Sequence, residues 1–99
     1  MSEVSRKVLI VDDEKRIGEL IRSLIHWEEL SLTCVGLKTD GEMAWETIRE
    51  ERPDIVITDI RMPVMSGLEM IRKTREEGIR VDFIVMSGYQ EFEYAHTAM

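Results

Sequence analysis

The apolar positions of the chain follow two alternating periods. Four short runs rich in β-branched residues, "KVLIVD" (7–12), "LTCVGL" (32–37), "DIVITD" (54–59) and "VDFIVMS" (81–87), read as strands, and each is followed by a segment of helical character. Strand and helix in turn is the signature of a parallel sheet, which gives an α/β, doubly wound architecture. "VLIV" and "IVI" are apolar almost without interruption, so both faces of these strands should be covered, and they belong at the centre of the sheet.

The first helix is expected over roughly 14–28, where Ile17, Leu20, Ile21, Leu24 and Ile25 recur at helical spacing and should line one face for burial. A second opens at "TDGE", with Thr39 and Glu42 at capping-box spacing, and ends before Pro53, which disfavours helical geometry at Arg52. A third opens at "SGLE", with Ser66 and Glu69 at the same spacing, and stops at Gly78, a residue suited to the left-handed turn of a helix end. "QEFEYAHTAM" begins a fourth. Trp27 and Trp45 read as packing against helix flanks, and the methionines, among them Met62, Met65, Met70 and Met86, as gap fillers.

Composition narrows the class. Ninety-nine residues make one domain, and 43% hydrophobic with 33% charged residues suits a chain that folds. A net charge of −7 argues against direct nucleic-acid binding, which calls for a basic patch, and suits a site for a divalent cation. No apolar run approaches the ~20 residues that span a bilayer, and "MSEVSRK" is unlike a signal peptide, so a cytoplasmic protein without membrane contact is expected. Cys34, in "LTCVGL", reads as a small core residue, and His26 and His96 as surface or helix-end residues.

The chemistry lies where the strands end. In an open parallel sheet all the strand carboxyl ends reach one edge, at which ligands bind. Asp12 and Asp13 close the first strand, Asp59 the third and Ser87 the fourth, so their oxygens should converge. Three carboxylates in one pocket repel one another, a conflict that a hard, oxygen-loving cation such as Mg²⁺ resolves; without a nearby His or Cys, zinc is a poor fit. A carboxylate beside Mg²⁺ is a nucleophile towards phosphorus, and Asp59, at the end of a central strand, is the best placed. Asp12 and Asp13 are better suited to holding metal, and Ser87 is placed to donate to the phosphoryl group. The competing reading of the acid pair is as caps of the first helix.

"VLIVDDE" (8–14), "PDIVITDIRMPVMSGLEMIR" (53–72) and "FIVMSGY" (83–89) resemble the receiver domain of two-component response regulators, particularly receivers joined to AraC-type DNA-binding output domains. The resemblance covers essentially the whole chain and implies a flavodoxin-like sheet in the order 2-1-3-4. It implies that Asp59 takes a phosphoryl group from a sensor histidine kinase. It gives Mg²⁺ the ligands Asp12, Asp13, Asp59 and the Arg61 backbone carbonyl, makes Ser87 the switch hydroxyl, and gives Pro63 the shaping of the loop after the acceptor. Such a protein is a phosphoacceptor that catalyses its own phosphorylation, and not an enzyme in the metabolic sense.

The family's pattern continues into a fifth strand, which carries a phosphate-pairing lysine, and a fifth helix; neither falls within these residues. Residues 1–99 are therefore expected to form a receiver domain incomplete at its C-terminus. Its open edge would invite a homodimer, metal binding would survive, and phosphorylation would be impaired. The alternatives are a receiver that acts only as an interaction module, or an aspartyl-phosphate phosphatase. The haloacid-dehalogenase type of phosphatase places a second Asp where Arg61 stands.

Overall fold

The computed structural model describes residues 5–62 and 64–86. Seven elements alternate along them: β1 (Arg6–Val11), α1 (Lys15–Leu24), β2 (Leu32–Lys38), α2 (Gly41–Glu51), β3 (Ile55–Asp59), α3 (Gly67–Glu76) and β4 (Asp82–Met86). The strands form one parallel sheet in the order β2-β1-β3-β4, as the resemblance implies. The run expected for a fourth helix, together with Ser87, Gly88 and His96, lies outside the described residues, as does Pro63.

The two near-continuous apolar runs are the central strands. Val8, Leu9, Ile10 and Val11 of β1 and Val56, Ile57 and Thr58 of β3 are all buried. Their side chains alternate between faces, as strand geometry requires. Leu9, Val11 and Val56 join Ala44, Trp45, Ile48, Met65, Met70 and Ile79 in a core beneath α2 and α3. Val8, Ile10 and Ile57 form a smaller cluster on the opposite face, where Ile21, Ile25, Trp27 and Cys34 pack against them. Cys34 is half-buried there, as its setting suggested, and His26 is exposed beside Glu29. Trp45 departs from the expectation: it belongs to the main core, with the Arg49 guanidinium 5.7 Å from its ring centre.

α1 departs from the sequence reading in length and in what it buries. It ends at Leu24 because Ile25 turns extended, and the Trp27 ring N–H donates to the Arg22 carbonyl at 2.8 Å, which meets one of the last turn's open acceptors. The helix faces the sheet through Gly18, where a Cβ would meet the Leu37 side chain at 3.0 Å, and through Ile21, with Ile25 just past its end packing on the same cluster. Ile17, Leu20 and Leu24 lie one residue back along the chain, roughly 100° around the helix. That stripe is exposed, Leu20 at 53% and Leu24 at 67%. The apolar band is thus wider than the face the sheet takes up.

α2 is capped by Asp40, whose Oδ1 accepts from the Met43 N–H at 2.8 Å, and not by Thr39; the carboxylate stands one position nearer the open amides of the first turn. Arg52, in the left-handed region (φ 50°), ends it ahead of Pro53. α3 begins as expected, with Ser66 Oγ accepting from Glu69 N–H at 3.1 Å, and Gly78 at φ 73° follows its end. A Ser66→Ala change is expected to cost about 1 kcal/mol in urea denaturation, with Ser66→Asp retaining most of the stability; equal losses in both would mean that the hydroxyl is not acting as a cap.

Candidate functional site

β1 and β3 run side by side, and their last paired residues are Val11 and Thr58. One residue beyond that pair on each strand stand Asp12 and Asp59, which brings acids far apart in sequence to the same sheet edge. The carboxylates of Asp12, Asp13 and Asp59 can each offer an oxygen within 4.8 Å of the others. Asp12 is buried, at 4% exposure, Asp59 is half-buried and Asp13 is exposed. The cluster therefore grades from core to solvent, open on the side from which a ligand would arrive.

Local hydrogen bonds fix two of the three. Asp12 Oδ1 accepts from the Glu14 N–H at 2.9 Å, and the Asp12 N–H donates to the Lys38 carbonyl of β2 at 3.0 Å. Asp59 Oδ1 accepts from the Ile60 N–H at 2.7 Å, and the Thr58 hydroxyl donates to the Asp59 carbonyl at 2.8 Å. The competing view of the acid pair as helix caps fares poorly: α1 starts from Glu14, which makes no side-chain cap bond, and the bond from Asp12 closes a turn before the helix.

Burial raises the pKa of the Asp12 carboxyl above its ordinary value of 3.8; the Glu14 amide pulls it back, and the charges of Asp59, Asp13 and Glu14 push it further up. Because the folded-state value is the higher one, ionised Asp12 weakens the fold. The penalty is present in full above the raised value and fades as pH falls through it towards 3.8. Asp12→Asn keeps the acceptor for Glu14 and removes the charge. It is expected to stabilise the metal-free protein near neutral pH by on the order of 1 kcal/mol, and to flatten the rise in stability on mild acidification. Melting temperatures across pH check both; an Asn variant less stable than wild type at neutral pH would contradict the repulsion.

The structure thus brings together Asp12, Asp13 and Asp59. Arg61 lies two residues past Asp59, exposed, in the loop that leads to α3, and Ser87 is outside the described residues. Sequence reasoning missed two backbone contacts that shape this loop. A Cβ on Gly67 would lie 2.2 Å from the Asp59 carbonyl oxygen, and one on Gly41 would lie 2.0 Å from that of Met65. Only the glycines at two helix starts signalled them.

A four-stranded 2-1-3-4 parallel sheet with an aspartate cluster at its carboxyl edge defines a class, and the chain belongs to it: residues 8–99 match the response regulator receiver domain family. It is a receiver of the kind found in two-component transcriptional regulators. Among solved structures it is similar to the receiver (REC) domain of AraT, a response regulator from Geobacillus stearothermophilus, at 42% identity and a TM-score of 0.87, over 97% of this chain and 74% of that one. It is similar also to a two-component transcriptional regulator AraC from Clostridium phytofermentans, at 34% identity and a TM-score of 0.87, over 96% and 74% of the two chains.

The transcriptional regulatory protein YesN of Bacillus subtilis is 45% identical over 93 residues, which are 94% of this chain and 25% of that protein. HptR of Staphylococcus aureus is 35% identical over 89% of this chain and 34% of its own length. The chain thus spans about a quarter to a third of the curated relatives it matches. Among the described residues, no helix is long and apolar enough to cross a membrane.

Proposed function

We infer that residues 1–99 act as a phospho-accepting receiver, with Asp59 taking a phosphoryl group from a phosphohistidine on a sensor kinase. The observation that carries this reading is the convergence of Asp12, Asp13 and Asp59 within 4.8 Å at the ends of adjacent strands. The donor set is all oxygen, the preference of Mg²⁺, and three anions this close favour a cation among them. Asp12, Asp13 and Asp59, with the Arg61 backbone carbonyl, would hold it. When bound, the ion supplies positive charge that offsets the incoming phosphate.

The chain's own residues do the rest. The Ile60 amide fixes one oxygen of Asp59, so the plane of the carboxylate is set before a donor arrives. An Asp59 oxygen attacks phosphorus in line; the O–P bond forms as the N–P bond breaks, and the departing imidazole nitrogen takes up a proton. Ser87, at the end of β4's run, would then donate to the phosphoryl oxygens, and the resulting change would reach an AraC-type DNA-binding output domain in a longer protein. A transcriptional output is supported by the name of YesN, and the AraC type by that of the Clostridium regulator.

The test is beryllofluoride, a mimic of the phosphoryl group, titrated with and without Mg²⁺ while the amide resonances of Asp59–Arg61 are followed by NMR. A saturable, Mg²⁺-dependent shift is expected. No response in either condition would favour a receiver that acts only as an interaction module.

A further inference from the structure

Residues 60–66 lead from Asp59 to α3, and the loop is pinned at both ends against glycine. At its far end a Cβ on Gly67 would meet the Asp59 carbonyl oxygen at 2.2 Å. Two residues before Gly67 the Met65 carbonyl lies against α2, where a Cβ on Gly41 would lie 2.0 Å from the oxygen and 2.8 Å from Met65 Cβ. In both places the obstacle is backbone, which cannot swing aside as a flexible side chain can.

The seat on α2 is held by the helix's own cap and by the core that it shares with Met65. Asp40 caps the helix, and Ala44, Trp45 and Ile48 anchor it in the main core. Between the pinned points, Val64 adopts φ 70°, the left-handed region that a β-branched residue enters only at a cost. Its side chain is 75% exposed, so packing of that side chain does not select the conformation.

We propose that Gly41 is a positioning residue for the Asp59 site: it is the seat that sets the course of the loop carrying the Arg61 carbonyl. This rests on the reading of Asp59 as a metal-dependent acceptor. A methyl group at position 41 forces the Met65 carbonyl back by about 1 Å, from 2.0 Å to at least the 3.0 Å that real Cβ contacts keep. Val64, already strained, leaves the loop little room to absorb the shift, so it passes towards Arg61. Displacing a group that orients a metal ligand typically weakens metal binding about 10- to 100-fold.

The experiment compares Mg²⁺ affinity by calorimetry, and metal-free amide spectra, for wild type, Gly41→Ala and Ile48→Val. Gly41→Ala is expected to bind Mg²⁺ about tenfold more weakly and to shift the Ile60 and Arg61 amides before any metal is added. Ile48→Val, which thins the packing of the same helix away from the loop, is expected to lower the melting temperature at unchanged affinity. Adding Val64→Gly to Gly41→Ala is expected to recover part of the affinity, since glycine lets the loop adjust.

Wild-type affinity in a folded Gly41→Ala protein overturns the proposal, as does an equal loss in Ile48→Val. If Gly41→Ala does not fold, the Gly41→Ala, Val64→Gly double variant asks the same question against Val64→Gly alone: weaker binding in the double variant supports the seat, and equal binding overturns it. If wild type itself binds no Mg²⁺, the reading of the site fails instead, and the metal-free amide shifts alone judge the role of Gly41.

Discussion

An Asp59→Asn variant is expected to keep the fold and to lose the whole of the Mg²⁺-dependent beryllofluoride response. Asparagine keeps the shape of the side chain and an oxygen to accept from the Ile60 amide, so β3 and the loop after it have no cause to move. What goes is the charge and, on the proposed reading, the nucleophile. Removing one carboxylate of three that lie within 4.8 Å should weaken Mg²⁺ binding at least about tenfold, a loss already reached when a residue that only orients a ligand is changed.

The same substitution relieves repulsion on buried Asp12, so the metal-free melting temperature should rise while the stabilisation given by Mg²⁺ shrinks. NMR titration and thermal melts, each with and without Mg²⁺, read both effects. A beryllofluoride response of wild-type size in Asp59→Asn would place the acceptor elsewhere.

Gly67→Ala is expected to be strongly destabilising, at about 3 kcal/mol of unfolding free energy. The added carbon would stand 2.2 Å from the Asp59 carbonyl oxygen and 3.2 Å from Ile60 Cα. That carbonyl cannot retreat freely, because it accepts from the Thr58 hydroxyl, and Thr58 is fully buried. The Gly67 N–H also donates to the Ile60 carbonyl at 2.7 Å, so relief by moving α3 breaks a short bond. Urea denaturation with an unchanged m-value measures the loss; a cost below about 1 kcal/mol would show that the helix start yields easily. Ser66→Ala, one residue earlier, removes only a cap, so the pair separates helix-end chemistry from steric pinning.

These expectations mark where the sequence could be read and where it could not. The strands and the meeting of Asp12, Asp13 and Asp59 were legible because short β-branched runs ending in acids place those acids at one edge of a parallel sheet, whereas the strand order came only with the resemblance to receiver domains. The third helix was legible for a similar reason: Ser66 and Gly78 mark its ends by local geometry alone. The first helix was misread at Ile17, Leu20 and Leu24 because apolar spacing gives the width of a stripe but not which part of it meets the sheet; Gly18 against Leu37 decides that. Asp40 caps α2 although Thr39 has the matching spacing, since both offer a side-chain oxygen and only the chain's path chooses between them. The seats at Gly41 and Gly67 were illegible because a glycine does not announce what lies where its side chain would be.

The placement of α1 has a bearing on the site it leads away from. Of its ten residues only Gly18 is buried, whereas α2 and α3 are rooted in the larger of the two apolar clusters. Local opening requires least work where least apolar surface is covered, so α1 belongs to the shallow end of the domain's hierarchy of opening free energies and the sheet with α2 and α3 to the deep end. Asp13 and Glu14 lead directly into α1, whereas Asp59 is tied to the deep layer through Gly67. Asp59, the proposed acceptor, thus stands on a deep-rooted part of the described fold, and the outer carboxylate beside a shallow one.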